Sequence, residues 1–154
     1  MTEINYWLMK SEPDAYSIDD LQKDNITIWD GIRNYQARNF MRKMNIGDKV
    51  FFYHSNCKPP SIVGLMEVIE KDIVDPTQFN NSSKYYDSKS DPSNPRWDCV
   101  KVKFISKSKN KLSLPELKLI FNDEELLLVK RGNRLSIIPI KENIAKKLLL
   151  KINL

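Results

Sequence analysis

Hydrophobic positions in this chain come in short blocks separated by polar turns. The first block, Tyr6-Trp7-Leu8-Met9, is brief and aromatic and predicts a buried strand. Lys10-Ser11-Glu12-Pro13-Asp14 ends it. Ser17-Ile18-Asp19-Asp20 then predicts a short helix, capped by Ser17 and with two acids in its first turn to suit the helix dipole. Trp29-Asp30-Gly31 reads as a turn ahead of a stronger helix from about Asn34 to Met44. Ala37, Phe40, Met41 and Met44 carry its apolar face, while Asn34, Arg38 and Arg42, four apart, stripe another face. From Lys49 to Ser55 both alternating registers are largely apolar or aromatic, which predicts a strand covered on both sides. A further strand runs from Ile62 to Ile69 and is broken at Gly64. Val100, Val102 and Phe104 alternate with Lys101 and Lys103, a strand with one wet face, and Leu135 to Ile140 is the last strand. Ser113-Leu114-Pro115-Glu116 has capping-box spacing and opens a helix to about Phe121. Ile144, Ala145, Leu148 and Leu149 mark a C-terminal helix. Pro76 to Trp97 is rich in Asn, Ser, Asp, Tyr and Pro, and a loop of that length in a compact domain is usually functional or disordered. Five or so strands with helices inserted between them predict one α+β domain over residues 1–154, built on a curled or closed mixed sheet.

Composition narrows the class. At 154 residues, with 41% hydrophobic and 29% charged side chains, the chain has globular values that argue against disorder, collagen and a coiled coil. No apolar run approaches the ~18 residues of a membrane span, so no membrane partner is expected. Met1 to Asn5 lacks the basic and apolar regions of a secretory signal. Two cysteines, Cys57 and Cys99, make a disulfide framework improbable and fit a reducing cytoplasm. Frequent Lys, Ile and Asn fit the cytoplasm of a prokaryote; in a eukaryote the nucleus is the alternative. Charge is uneven: residues 1–99 carry 12 basic and 15 acidic side chains, residues 100–154 carry 13 and 5. A basic half points to a polyanion, with a Lys-rich solubilising surface as the bland alternative.

Familiar catalytic equipment is missing. There is one histidine, no G-x-S-x-G elbow, no phosphate-binding glycine loop and too few nitrogen and sulfur ligands for zinc, so neither metal nor cofactor is expected. His54, Cys57 and Lys58 could form a thiolate pair, but a strand histidine and an inert thiol are the simpler reading. What the chain offers instead is recognition chemistry. Trp7, Trp29 and Trp97 fall at segment ends, with Tyr53, Tyr85 and Tyr86 added, and such rings can stack a planar base. Trp7 suits the core; Trp29 sits beside the polar helix stripe and suits a pocket. Lys10, Ser11, Asp30, Asn34, His54, Ser55, Asn56 and Asn133 place short polar groups near strand ends, where a base edge could be read. Lys130-Arg131-Gly132-Asn133-Arg134 is a basic turn suited to phosphate.

Several long motifs together carry a family resemblance. Tyr6 to Pro13, Trp29 to Phe40, Phe52-Tyr53-His54-Ser55-Asn56 and Arg131 to Ser136 strongly resemble the EVE domain, and Tyr85-Tyr86-Asp87, Asp91-Pro92 and Asn94-Pro95-Arg96-Trp97 match its long loop. The resemblance covers essentially the whole chain. It implies a PUA-like fold, a mixed β-barrel of five to six strands with flanking helices. It also implies kinship with the YTH domain, which grips a methylated adenine in an aromatic cage, with Lys10-Ser11 and Trp29 in the corresponding places. The EVE family is viewed as binding modified bases of DNA or RNA without known catalysis. The run Lys58-Pro59-Pro60-Ser61 replaces a usually shorter turn.

The resulting expectation is a monomeric, non-catalytic module that binds a modified nucleobase of DNA or RNA. Trp29 is one wall of its pocket and Trp97 or Tyr53 the other. Lys10, Ser11, Glu12, Asp30, Asn34, Tyr35, His54, Ser55 and Asn56 complete the pocket, and Arg38, Arg131, Asn133 and Arg134 hold phosphate. Two alternatives stay open: an enzyme acting on a nucleotide or modified nucleic acid with Glu12, Asp30 or His54 as general base, and a protein-interaction module using residues 76–97.

Overall fold

The computed structural model describes residues 3–152. In chain order they form β1 (Tyr6–Ser11), α1 (Ile18–Asp24), β2 (Ile26–Ile28), α2 (Tyr35–Arg42), β3 (Lys49–His54) and β4 (Ser61–Val74). A 3-10 turn at Pro76–Phe79 follows, then β5 (Asp98–Ser113), α3 (Leu114–Ile120), a second 3-10 turn at Leu127–Val129, β6 (Ile137–Ile140) and α4 (Glu142–Ile152). The six strands make one mixed sheet in the order β2-β5-β4-β3-β1-β6. Only the β1–β3 pair is parallel. β2 and β6 do not pair among the described residues, so the sheet is curled rather than closed by hydrogen bonds. The curl is evident in the packing: one core cluster joins Val100 and Val102 of β5 to Ile137 of β6, and α2 packs against both strands. This is the PUA-like α+β arrangement that the resemblance implies.

Two cores flank the sheet. Trp7, Met9, Val50 and Phe52 face α1 and α2, while Leu8, Phe51, Tyr53 and Ile138 face α3 and α4. Adjacent residues of β1 and β3 therefore serve opposite cores, which is why both registers of β3 are apolar. Phe51 and Phe52 are each fully buried. The Trp7 indole N–H donates to Asp48, whose buried carboxylate also accepts from the backbone of Asn5 and Asn45. Three donors satisfy that carboxylate without a cation.

Some predicted boundaries move. Gly64 does not break β4. The strand passes through it, with a register shift between Ile62 and Gly64, and glycine suits the tight space there: a Cβ would lie 2.5 Å from Ile18 and 2.7 Å from the Ser106 carbonyl. β5 runs nine residues beyond Phe104, to Ser113, paired along its length to the 14-residue β4 with several register shifts. Ile26–Ile28 forms a strand too short to show periodicity. The helix after the Trp29 turn is Tyr35–Arg42, with Asn34 as its cap: the Asn34 Oδ1 accepts from Ala37 N–H at 2.9 Å. Among the described residues no helix is long and apolar enough to cross a membrane.

The segment 76–97 is internally bonded. Gln78, fully buried, donates to the carbonyls of Asp75 and Trp97 and accepts from Ser90 and the Trp97 N–H. At its start Asp75, also fully buried, accepts from Gly31 N–H at 2.8 Å, from Arg33 at 3.0 Å and from Thr77 N–H at 2.8 Å. One carboxylate thus ties the turn after β2 to the long loop.

Two outcomes follow. Asp75→Ala leaves Arg33 and the Gly31 N–H without their acceptor. Breaking a buried pair from one side costs about 3 kcal/mol, or a melting temperature lower by about 6–12 °C, measurable by calorimetry. The second concerns His54, whose Nε2 accepts from Ile18 N–H at 3.1 Å and so must be unprotonated. Burial, with Lys111 nearby, holds its pKa below the ordinary 6.5. Its contribution to stability is complete above the unfolded value and is lost as pH falls below it. Acidification from about pH 7 to about pH 5 should therefore lower the melting temperature of the wild type more than that of His54→Gln, which keeps an acceptor that does not titrate. Parallel melting curves across that window would contradict this role.

Candidate nucleobase site

An open cavity of about 1250 Å³ lies at the ends of β1, β2 and β3. Pockets for small ligands usually span ~300–1,000 Å³, so this one has room for a base together with part of its backbone. Its lining brings together Lys10, Ser11 and Glu12 after β1, Trp29, Asp30 and Asn34 before α2, and Ser55 and Asn56 after β3. These are eight of the twelve pocket residues expected from sequence. Arg134 reaches it from the basic turn.

The remaining expected residues lie elsewhere, each for a physical reason. Tyr53 alternates into the second core and is 3% exposed. His54 is occupied as an acceptor for α1. Trp97 is 5% exposed; its ring stacks on Tyr35 at 4.9 Å and its N–H donates to Asp87 at 2.8 Å. Neither Trp97 nor Tyr53 is a second wall of this cavity, and Tyr35 belongs to the Trp97 stack. Arg38 lies 4.7 Å over Tyr35 and donates to the Arg96 carbonyl, so it braces the loop. Both ends of the Asn133 amide are bonded to backbone, at Leu127 and Leu135. Arg131 is exposed on its turn and does not line the cavity. His54 and Cys57 form no thiol–imidazole pair: the Cys57 thiol faces the carbonyls of His54 and Pro59 at 3.7 Å. No group of His, Cys, Asp and Glu among the described residues could hold a metal ion.

The second aromatic wall comes from the long loop. Tyr85 lines the cavity with Trp29 and Tyr16. Its ring lies against Gly31, where φ is +82° and a Cβ would sit 2.7 Å from the ring. Glycine is required there both by backbone conformation and by that contact. Arg33, unremarked in the sequence, fixes the arrangement. It donates to the Tyr85 carbonyl at 2.8 Å and to Thr77 at 3.0 Å, and its guanidinium lies over both Tyr85 and Trp97. Cations and rings form one series from Arg38 through the stacked Tyr35 and Trp97 to Arg33 and Tyr85, with the Lys84 Nζ 5.0 Å from the Tyr85 ring. Trp29 is 7% exposed and meets Phe52 edge to face at 5.4 Å. It is a core residue and a cavity wall at once, not a free-standing one.

The polar lining divides into bonded and unbonded groups. Ser11 donates to the Tyr16 carbonyl at 2.6 Å, and Asn34 caps α2. Burial pushes the Tyr16 hydroxyl up to about 12, so it stays un-ionised. Lys10 and Arg134 make no ion pair among the described residues. Burial alone lowers the pKa of the Lys10 amine. Asp30 also has no cationic partner; burial first, then repulsion from the Asp75 carboxylate, raise its pKa above the ordinary carboxylate value. The cavity thus offers the rings of Trp29, Tyr85 and Tyr16, a basic rim and charged groups of both signs without ion-pair partners among the described residues.

Comparison with known proteins gives the family. The EVE domain model matches residues 5–151. Thymocyte nuclear protein 1 of Rattus norvegicus is 49% identical over 125 residues, 74% of this chain and 55% of the relative. The Homo sapiens protein of that name is 46% identical, over 74% of this chain and 56% of its own length. The chain spans about half the length of the curated relatives it matches. Among solved structures, a Pseudomonas syringae protein superposes with a TM-score of 0.91 at 43% identity, covering 96% of this chain and 99% of that one. Human THYN1 in complex with 5-methylcytosine containing DNA superposes with a TM-score of 0.91 at 38% identity, covering 97% of this chain and 98% of that one. The chain belongs to the EVE domain family.

Proposed function

We propose that this chain is a single, monomeric, non-catalytic domain that binds a modified nucleobase of DNA in the cavity walled by Trp29 and Tyr85. The observation that carries the reading is their convergence with unpaired polar side chains in one open cavity. The likeness to a structure holding 5-methylcytosine containing DNA supports DNA over RNA and a base modified on its ring. A duplex base cannot reach such a cavity while stacked, so the bound base is extruded, at a cost of a few kcal/mol that stacking on the two rings offsets. Arg134, exposed and unpaired at the rim, suits the adjoining phosphates, with Arg131 beside it on the turn. We place the protein where the nucleic acid is: the cytoplasm of a prokaryote or the nucleus of a eukaryote.

The alternatives draw less support. A general base would have to be Glu12 or Asp30, because the His54 acceptor nitrogen is already bonded. A docking role for residues 76–97 finds its aromatic rings largely used internally, with Tyr86 the exposed one.

The test is titration of a labelled oligonucleotide carrying one 5-methylcytosine, against the unmodified control. Tyr85→Ala should weaken binding of the modified strand about 5- to 150-fold, the loss of one stacking wall, with little change in melting temperature. Trp29→Ala should in addition lose about 3–5 kcal/mol of stability, since its indole is also core. Normal affinity in Tyr85→Ala would remove the ring from the site. Arg131→Ala combined with Arg134→Ala should flatten the dependence of log K on log salt by roughly 1–2 units while leaving affinity for the free modified nucleoside nearly unchanged. An unchanged slope would take both arginines out of phosphate binding.

A further inference from the structure

The unpaired charged groups of the cavity specify more than an aromatic cage does. Rings stack any base, because every base has a π face. Choice among bases has to come from edge hydrogen bonds, and most short polar groups here are already committed. Ser11 donates to Tyr16, Asn34 caps α2, and Asn56 reaches Glu12. Asp30 is different. It directly follows the Trp29 wall and precedes the Gly31 on which Tyr85 rests. Its side chain is half-buried, and no side-chain donor or salt-bridge partner reaches its carboxylate among the described residues. Arg33, the nearest guanidinium, is committed to Asp75, Thr77 and the Tyr85 carbonyl. The cavity lining therefore includes a carboxylate to which no side chain donates among the described residues. Lys10 supplies the opposite sign from the end of β1, likewise without an acidic partner.

We propose that Asp30 selects the class of base: its carboxylate accepts from an exocyclic amine, so of two bases with the same ring and substituents the cavity takes the amino form and rejects the keto form. The inference rests on the reading of the cavity as a modified-base site. Its physics is that of complementary edges. A carboxylate has only acceptors, so an amine satisfies it and a carbonyl oxygen in the same place repels it. A ligand that leaves a half-buried carboxylate unmatched forfeits its binding by the cost of that stranded group.

5-Methylcytosine and thymine make a clean comparison, because they share the 5-methyl group and differ in the edge that Asp30 would read. Single-stranded oligonucleotides identical but for one such base avoid any difference in duplex opening. At pH 8 the wild type should prefer the 5-methylcytosine strand by about tenfold or more. Asp30→Asn keeps the size of the side chain but can turn either oxygen or N–H toward the base. It should bring the preference to within about threefold of unity while retaining the wild-type melting transition. Equal wild-type affinity for the two strands overturns the proposal without needing any variant. Wild-type preference persisting in a folded Asp30→Asn also overturns it, as does loss of preference in Glu12→Gln but not in Asp30→Asn. These results leave the modified-base reading standing. Binding of neither strand above an unmodified cytosine control overturns that reading and the proposal together.

Discussion

The candidate site depends on one buried carboxylate. Asp75 stands at the end of β4, fully buried, and gathers the Gly31 N–H, the Arg33 guanidinium and the Thr77 N–H. A carboxylate buried this deeply is tolerable only when its lone pairs are filled, and here the donors come from two segments more than forty residues apart. Satisfying the charge therefore draws the Trp29–Asp30–Gly31 turn and the long loop into one place. The same event sets the electrostatics of the cavity, because the Asp75 charge is one of the two forces that raise the neighbouring Asp30 carboxyl group.

The rest of the site is built outward from that clamp. Arg33, held by Asp75, also holds the Tyr85 carbonyl and lies over the Tyr85 and Trp97 rings. Arg38 continues the series from α2 by stacking on Tyr35, which stacks on Trp97. Each cation–ring contact is worth about 0.5–2 kcal/mol. Their joint effect is to make the irregular segment 76–97 behave as part of the scaffold. Gln78 does the same from inside by filling the backbone positions that an irregular loop leaves unpaired. A recognition ring carried on a loop becomes a fixed wall when the loop is braced in this way.

Local chemistry was legible in the sequence where it was local. The strand-end groups Lys10-Ser11-Glu12, Trp29-Asp30 and Ser55-Asn56 do meet, because parallel pairing of β1 and β3 sets Ser11 beside His54 and brings their ends together. The double apolar register of β3 correctly implied two covered faces. What failed was any inference that needed to know which face. Tyr53 lies next to His54 and Ser55 in sequence, yet the pleat turns it into the second core. Trp97 and Tyr85 are both aromatic residues of the long loop, and only the tertiary bracing decides that Tyr85 enters the cavity while Trp97 packs beneath it. Arg33 carried no periodic signal, since its partners lie 42 to 52 residues away. The three residues of β2 border the cavity through Thr27 and Ile28, but a strand that short shows no alternation to read.

The central claim is that a modified base sits inside this cavity against Trp29 and Tyr85. The most direct measurement is a crystal structure of the chain bound to a short DNA duplex carrying one 5-methylcytosine. The account predicts that base extrahelical, its ring in contact with the Trp29 and Tyr85 side chains and the flanking phosphates near Arg134. A modified base still stacked in the duplex, or seated on the Arg38–Tyr35 face outside the cavity, would contradict it.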